Sequence, residues 1–222
     1  MPVGLRGDFG PPMIIAIDGP AAAGKGTLAE RLSAHYRLPY LDTGLLYRLL
    51  GRQMAEQGLD PDNAEAAERV ARALDPALLG DPGLRGHEAG ELASRVAVHA
   101  GVRAALLDFQ RAFAARPEGA VLDGRDIGTA VCPNADIKIF VTASPEVRAR
   151  RRTGELAAKG RDVAYETILA EIKGRDARDS GRAAAPLKAA DDAYLLDTSD
   201  KDIEAAFRAA VDIVDQAKGG RG

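Results

Sequence analysis

Nine residues near the N-terminus, Gly19-Pro20-Ala21-Ala22-Ala23-Gly24-Lys25-Gly26-Thr27, are of the types and spacing needed to hold a chain of phosphates. Glycines let backbone N–H groups close around phosphate oxygens, a lysine adds a charge on the β/γ side, and a following helix adds its dipole. An apolar run, Met13-Ile14-Ile15-Ala16-Ile17, comes first, and Leu28, Leu32 and His35/Tyr36 follow at helical spacing, which predicts strand, loop, helix. The strict G-x-x-x-x-G-K-[ST] pattern has a hydroxyl directly after the lysine to take Mg²⁺. Here Gly26 stands there and Thr27 comes one position later. Thr27 is the best direct candidate for a Mg²⁺ ligand, with Asp123 as one acting through water. A competing dinucleotide fingerprint, Gly24-x-Gly26-x-x-Ala29 with Asp42 as the ribose acid, also fits part of the run. The apolar strand ends near Asp18, too far before Gly24 for a dinucleotide turn, and a lysine between the glycines suits a triphosphate.

Four further clusters could meet anions. Arg175, Arg178, Asp179 and Arg182 continue, at i, i+3, i+4, i+7, the face begun by Tyr165, Ile168, Leu169 and Ile172. An inward face that turns from apolar to charged needs partners, because an unpaired buried charge is costly. Internal salt bridges with Asp176 and Asp179 are one solution; an anionic ligand with sugar hydroxyls is another, and three arginines outnumber the two local acids. Arg148, Arg150, Arg151 and Arg152 form either a solvated basic face or a clamp over a triphosphate. In Asp123-Gly124-Arg125-Asp126, Arg125 suits a phosphate bidentately and Asp126 can accept from an exocyclic amine. In Asp42-Thr43-Gly44-Leu45-Leu46-Tyr47-Arg48, Thr43 can cap the next helix, which leaves Arg48 unexplained.

The elements that must position these residues alternate. Strands are predicted at Ile14–Asp18, Pro39–Asp42, Ala120–Asp123, Asp136–Val141 and Ala193–Asp197, with helices over 25–36, 44–57, 62–74, 87–98, 102–115, 145–158, 163–180 and 201–217. That order predicts an α/β, three-layer αβα fold on a five-stranded parallel sheet. Three strands end in aspartate (Asp18, Asp42, Asp123), at the end of the sheet where ligands bind, although a terminal Asp also serves as a turn residue. The stretch 78–90, rich in Gly, Pro and Asp, reads as a loop or degenerate insertion. Residues 1–12 read as a loose tail and 218–222 as a C-terminal tail. With 222 residues, 46% hydrophobic and 28% charged, the chain reads as one globular domain. A net charge of −3 argues against a nucleic-acid surface, no apolar run approaches a membrane span, and nothing resembles a signal peptide. Cys132 is the lone cysteine and His35, His87 and His99 fit no metal spacing. A cytoplasmic location follows as the expectation.

Together these motifs resemble the bacterial cytidylate kinases, of the P-loop nucleoside monophosphate kinase type, from Met13 to about Val214. The resemblance is carried by GPAAAGKGT at 19–27, DTGLLYR at 42–48, DGRDIGT at 123–129, FVTASPEVRARRR at 140–152 and EIKGRDARDSGRAAAPL at 171–187. It implies a P-loop kinase fold over 13–217, with a monophosphate-binding insertion at about 43–105 and a short lid at about 148–165. It implies transfer of the ATP γ-phosphoryl group to CMP or dCMP, with Mg²⁺, by a monomer. Gly19 to Thr27, Arg148 and Arg152 would then bind ATP. Thr43, Arg48 and Arg125 would hold the substrate phosphate beside Tyr47, and Ser94, Arg103 and Asp126 would read cytosine. Arg175 and Asp179 would hold the sugar, and Arg182 would sit near the transferred group. Arg148, Arg151 and Arg152 would belong to the lid, with Lys25, Arg125, Arg151 and Arg182 as the catalytic set. Two features depart from the family pattern: Leu45 replaces an alanine, and 75–90 is too short for the usual strand-rich segment. A kinase for another acceptor, shikimate-type included, and a non-enzymatic nucleotide switch are the alternatives; no N-K-x-D is present for a guanine switch.

Overall fold

A computed structural model describes residues 12–219, so apart from Pro12 the expected N-terminal tail lies outside the described residues. Strands β1 (Met13–Asp18), β2 (Tyr40–Asp42), β3 (Gly119–Gly124), β4 (Ile137–Thr142) and β5 (Tyr194–Asp197) form one parallel sheet in the order β2-β3-β1-β4-β5. The eight predicted helices are α1 (Lys25–Tyr36), α2 (Gly44–Glu56), α3 (Ala64–Arg72), α4 (His87–Val96), α5 (Ala100–Ala114), α6 (Pro145–Ala158), α7 (Tyr165–Gly181) and α8 (Ile203–Gly219). Helix α8 runs to Gly219, so the expected C-terminal tail starts later than 218, and 220–222 lie outside the described residues.

Strand alternation divides the core. Ile15, Ile17, Val121, Ile139 and Val141 point to the face covered by Leu28 and Leu32 of α1 and Ala210 and Val214 of α8. Ala16, Leu41, Ala120 and Leu122 point the other way, toward α5 and a wide π-helical turn at Ile127–Val131. Period-two side chains on strands buried on both faces explain the continuous apolar runs in the sequence. Helices α2 to α5 make a second small core of their own around Leu46, Leu50, Met54, Val70, Val96 and Leu106.

Two corrections concern local packing. Ile168 and Ile172 are buried as expected, yet with Tyr165 and Leu169 they pack on Ala149 and Leu156 of α6 and form a satellite cluster rather than part of the sheet core. Two short 3₁₀ turns, Pro76–Gly80 and Pro82–Arg85, run into and through the stretch 78–90. Each is capped by an aspartate, Asp75 accepting from the Ala77 N–H and Asp81 from the Gly83 N–H, and each has proline at its start, where the missing N–H costs nothing. Leu84, fully buried, packs on Leu45 and Leu49. Leu45 and the turn that carries Leu84 are therefore packed against each other in one small cluster.

Candidate active site

The loop leaving β1 sits at the carboxyl edge of the sheet, between strands whose connections run to opposite edges. Two conformations build it. A Cβ on Gly19 would lie 1.9 Å from the Val141 carbonyl oxygen, so only glycine lets the loop start this close to β4. Gly24 takes a left-handed φ of 87° just before α1, and Ala22 adopts φ 59°, an uncommon conformation for a residue with a Cβ. Residues 21–27 border a cavity of about 920 Å³, which continues along Arg151, Arg152, Arg175, Thr198 and the start of α8. A second compartment of about 230 Å³ opens beside it, lined by Thr43, Tyr47, Ser94, Arg103, Asp126, Asp179 and Arg182 among others. Both compartments share Ala21, Ala22, Lys25, Gly26, Arg48 and Arg175 in their walls.

The smaller compartment is positively biased. Lys25, Arg48, Arg103, Arg125, Arg175 and Arg182 face four carboxylates, Asp42, Asp123, Asp126 and Asp179. Lys25 is buried and makes no hydrogen bond or ion pair with another described residue. Burial, with Arg125 close by, pushes its ammonium down to about 8. Burial and Arg125 likewise push Arg175 down to about 10, and Arg48 and Arg182 are lowered chiefly by burial. Arg182 caps the end of α7, and its Nε and one terminal nitrogen are buried without a hydrogen-bond partner. Unpaired buried donors on a cation are costly unless a ligand completes them.

The charged face of α7 divides. Asp179 accepts from Arg125 Nε at 3.0 Å, and Arg175 Nε lies 4.0 Å from the same oxygen. Asp176 turns the other way, to Arg148. Arg178 is 40% exposed on its side chain and donates to Glu91 at 2.9 Å and to Ser94 Oγ at 3.2 Å, at the rim of the smaller compartment. Arg103 and Asp126 form a tight ion pair beside the Tyr47 ring. Arg48 donates to the carbonyls of Leu84 and Gly86 at 3.1 and 3.0 Å, which ties the turn at Pro82–Arg85 to α2.

Two expectations, for Thr43 and Arg148, need correcting, and the open choice at Asp18 is closed. Thr43 does not cap α2 with its hydroxyl; Oγ1 donates to the Asp123 carbonyl at 2.8 Å, locking β2 to β3. Asp18 is structural: it accepts from the Ile127 and Gly128 N–H groups, both at 2.8 Å, and so shapes the turn after Asp126, while burial pushes it up to about 6. Arg148 is 3% exposed on its side chain and does not reach the cavity. Its guanidinium is held by the Ala143 and Ala21 carbonyls and by both oxygens of Asp176, so it supports the phosphate loop from behind and is not a lid residue touching ATP. Arg151 bonds Thr198 and the Lys201 carbonyl at the cavity wall, and Arg152 pairs with Glu155 at 3.1 Å.

The sequence reading missed Tyr40, Arg85 and the 198–204 segment as cavity walls. Asp42 and Asp123 are register partners on adjacent strands, which brings two carboxylates together beside Lys25. Burial and the Asp42 charge push Asp123 up to about 6. No cluster of three or more His, Cys, Asp or Glu among the described residues could hold a metal alone. Two adjacent carboxylates next to a phosphate loop fit Mg²⁺, which keeps its waters and takes substrate phosphates as ligands.

A phosphate loop at the switch point of a parallel sheet, opening into two compartments that share a buried lysine, defines a P-loop phosphotransferase of small molecules. Comparison with known proteins narrows that class. Residues 15–216 match the profile of the Cytidylate kinase family, and the chain belongs to that family. It is 63% identical to the cytidylate kinase of Xanthobacter autotrophicus over 94% of this chain and 100% of that one. It is 59% identical to that of Rhodopseudomonas palustris, over 94% and 99% of the two chains. A crystal structure of an uncharacterized protein from Eubacterium ventriosum shares the fold at TM-score 0.54 and 17% identity, covering 92% of this chain and 98% of that one. No helix among the described residues is long and apolar enough to cross a membrane.

Proposed function

We propose that the larger compartment takes ATP, the smaller takes CMP or dCMP, and the γ-phosphoryl group passes between them at Lys25, Arg48 and Arg175. One observation carries this reading: two cavities of unequal size meet at cationic side chains. Six cations against four carboxylates in the smaller one leave an excess matched to a phosphate monoester, which carries about −1.5 to −2 charge at neutral pH. Membership of the cytidylate kinase family, with relatives above half identity over nearly the full chain, supports cytidine monophosphates as the acceptors.

In this reading residues 19–27 cradle the triphosphate, and Arg151 and Arg152 border it from the lid at about 148–165. Thr43, Tyr47, Arg48 and Arg125 hold the acceptor phosphate within the segment 43–105 and β3. Cytosine offers an amine donor and a ring-nitrogen acceptor; the Asp126 carboxylate suits the first and the Arg103 guanidinium the second, with Ser94 nearby. Uracil reverses that pattern and is disfavoured. Arg175 and Asp179 meet the sugar hydroxyls.

An acceptor phosphate oxygen is already anionic, so attack in line on the γ-phosphorus needs no general base. Catalysis then rests on position and charge stabilisation. Lys25, Arg125, Arg151 and Arg182 supply the fixed positive charge, Arg182 through donors that have no protein partner. Thr27 and Asp123, the latter through water, would hold Mg²⁺ arriving with ATP, which neutralises phosphate charge. A monomer and a cytoplasmic location are part of this reading. The test is a panel of monophosphates with ATP in an ADP-coupled assay. CMP and dCMP should turn over best, UMP poorly, and AMP, GMP and shikimate negligibly; preference for any other acceptor sinks the assignment.

A further inference from the structure

The phosphate loop lacks a hydroxyl directly after its lysine, and the structure shows what stands near that place. A Cβ built on Gly26 would lie 3.7 Å from the Tyr40 hydroxyl oxygen, its nearest neighbour. Tyr40 reaches there from β2, on the strand next to β3, and donates that hydroxyl to Asp123 Oδ1 at 2.9 Å. Thr27, the alternative hydroxyl, is exposed and borders only the larger compartment, whereas Asp123 borders only the smaller one. Tyr40 lines the first and bonds a residue of the second.

We propose that Tyr40 is a positioning residue that replaces the missing loop hydroxyl: it fixes Asp123 at the phosphate loop and presents a neutral oxygen beside Gly26, which together favour the divalent cation that accompanies ATP. The backbone is anchored as well, since the Asp123 carbonyl accepts from Thr43 Oγ1 and the Thr43 N–H, so Tyr40, by holding Oδ1, sets the orientation of the carboxylate and of its second oxygen. Loss of the hydroxyl frees Asp123 to rotate against the charge of Asp42, and weakens only interactions that pass through the metal. This proposal rests on the reading of the larger compartment as the ATP site.

Calorimetry of ATP binding with Mg²⁺ and with EDTA separates the two. Tyr40→Phe keeps the ring and should lower ATP affinity in Mg²⁺ about fivefold, the effect of one ordinary hydrogen bond, and leave affinity in EDTA and the affinity for CMP unchanged. Gly26→Ser added to Tyr40→Phe should recover most of that loss, because the Gly26 Cβ position is at ordinary contact distance from its nearest neighbour and needs no left-handed φ. An unchanged ratio between the two conditions overturns the proposal. So does a fall in both affinities together with a lower melting temperature, which marks Tyr40 as structural, and so does a Tyr40→Phe defect that the added serine fails to recover. Wild-type inactivity toward CMP would instead sink the kinase reading and leave the Mg²⁺-to-EDTA comparison intact.

Discussion

Arg148 and Asp176, 28 residues apart on α6 and α7, meet through two parallel hydrogen bonds of 3.0 and 2.6 Å while Arg148 also holds the Ala21 carbonyl of the phosphate loop. The pair makes the loop, α6 and α7 one mechanical unit. The base of the α6–α7 hairpin is thus anchored where the loop needs rigidity, and any closing motion belongs to residues farther along α6.

Arg148→Met should act on stability before activity. Removing the buried Arg148 leaves the Ala21 and Ala143 carbonyls without that donor and the partly exposed Asp176 without its partner; the cost is about 1–3 kcal/mol, roughly 5 °C in melting temperature for a chain of this length. A scanning melt measures it; an unchanged melting temperature with weakened ATP binding would restore Arg148 to the ligand site.

Lys25 links binding to protons. Its pKa near 8 in the free protein lies below the usual 10.5, so the unfolded chain binds more protons between those values. The destabilising charge is therefore felt below pH 8 and fades as pH rises toward 10.5. Phosphates favour the ammonium, so ATP binding at pH 8 should take up a fraction of a proton, measurable by calorimetry in two buffers of different ionisation enthalpy. Lys25→Met should abolish the uptake and slow turnover by about 10²-fold or more. Equal uptake in wild type and variant would exclude Lys25 as its source.

Asp126→Ala should lower kcat/KM for CMP by about 1–3 kcal/mol, because the cytosine amine is left without an acceptor in a closed site. UMP should suffer less. The comparison is the CMP-to-UMP ratio of kcat/KM, and a ratio equal to wild type argues against base reading by Asp126.

Arg182→Lys keeps the charge and removes the planar fork. With Arg182 acting on the transferred group, kcat should fall while CMP affinity, by titration, stays near wild type. Full activity in this variant would assign the arginine to helix packing alone.

Much of the fold was legible because its signals are local. Short apolar runs alternating with helical periodicity named all five strands and eight helices to within a few residues, and GPAAAGKGT announced the phosphate loop through backbone requirements that only such residues meet. The aspartate-capped, proline-led turns at 76–85 were also written in local chemistry, but they fell inside a stretch whose composition reads as loop. What tertiary structure decided is pairing between distant residues. Sequence spacing grouped Arg175, Asp176, Arg178 and Asp179 on one helix; packing of α6, α4 and β3 around that helix sent Asp176 to Arg148, Arg178 to Glu91 and Asp179 to Arg125. Sheet register set Asp42 beside Asp123 and brought Tyr40 to the missing hydroxyl, 83 residues from the carboxylate it holds. Charge and hydrogen-bond partners act over a few ångströms in space without regard to chain separation, so residue types pointed to a phosphate site, and only the fold determined that Arg175 and Arg182 keep buried donors free within it.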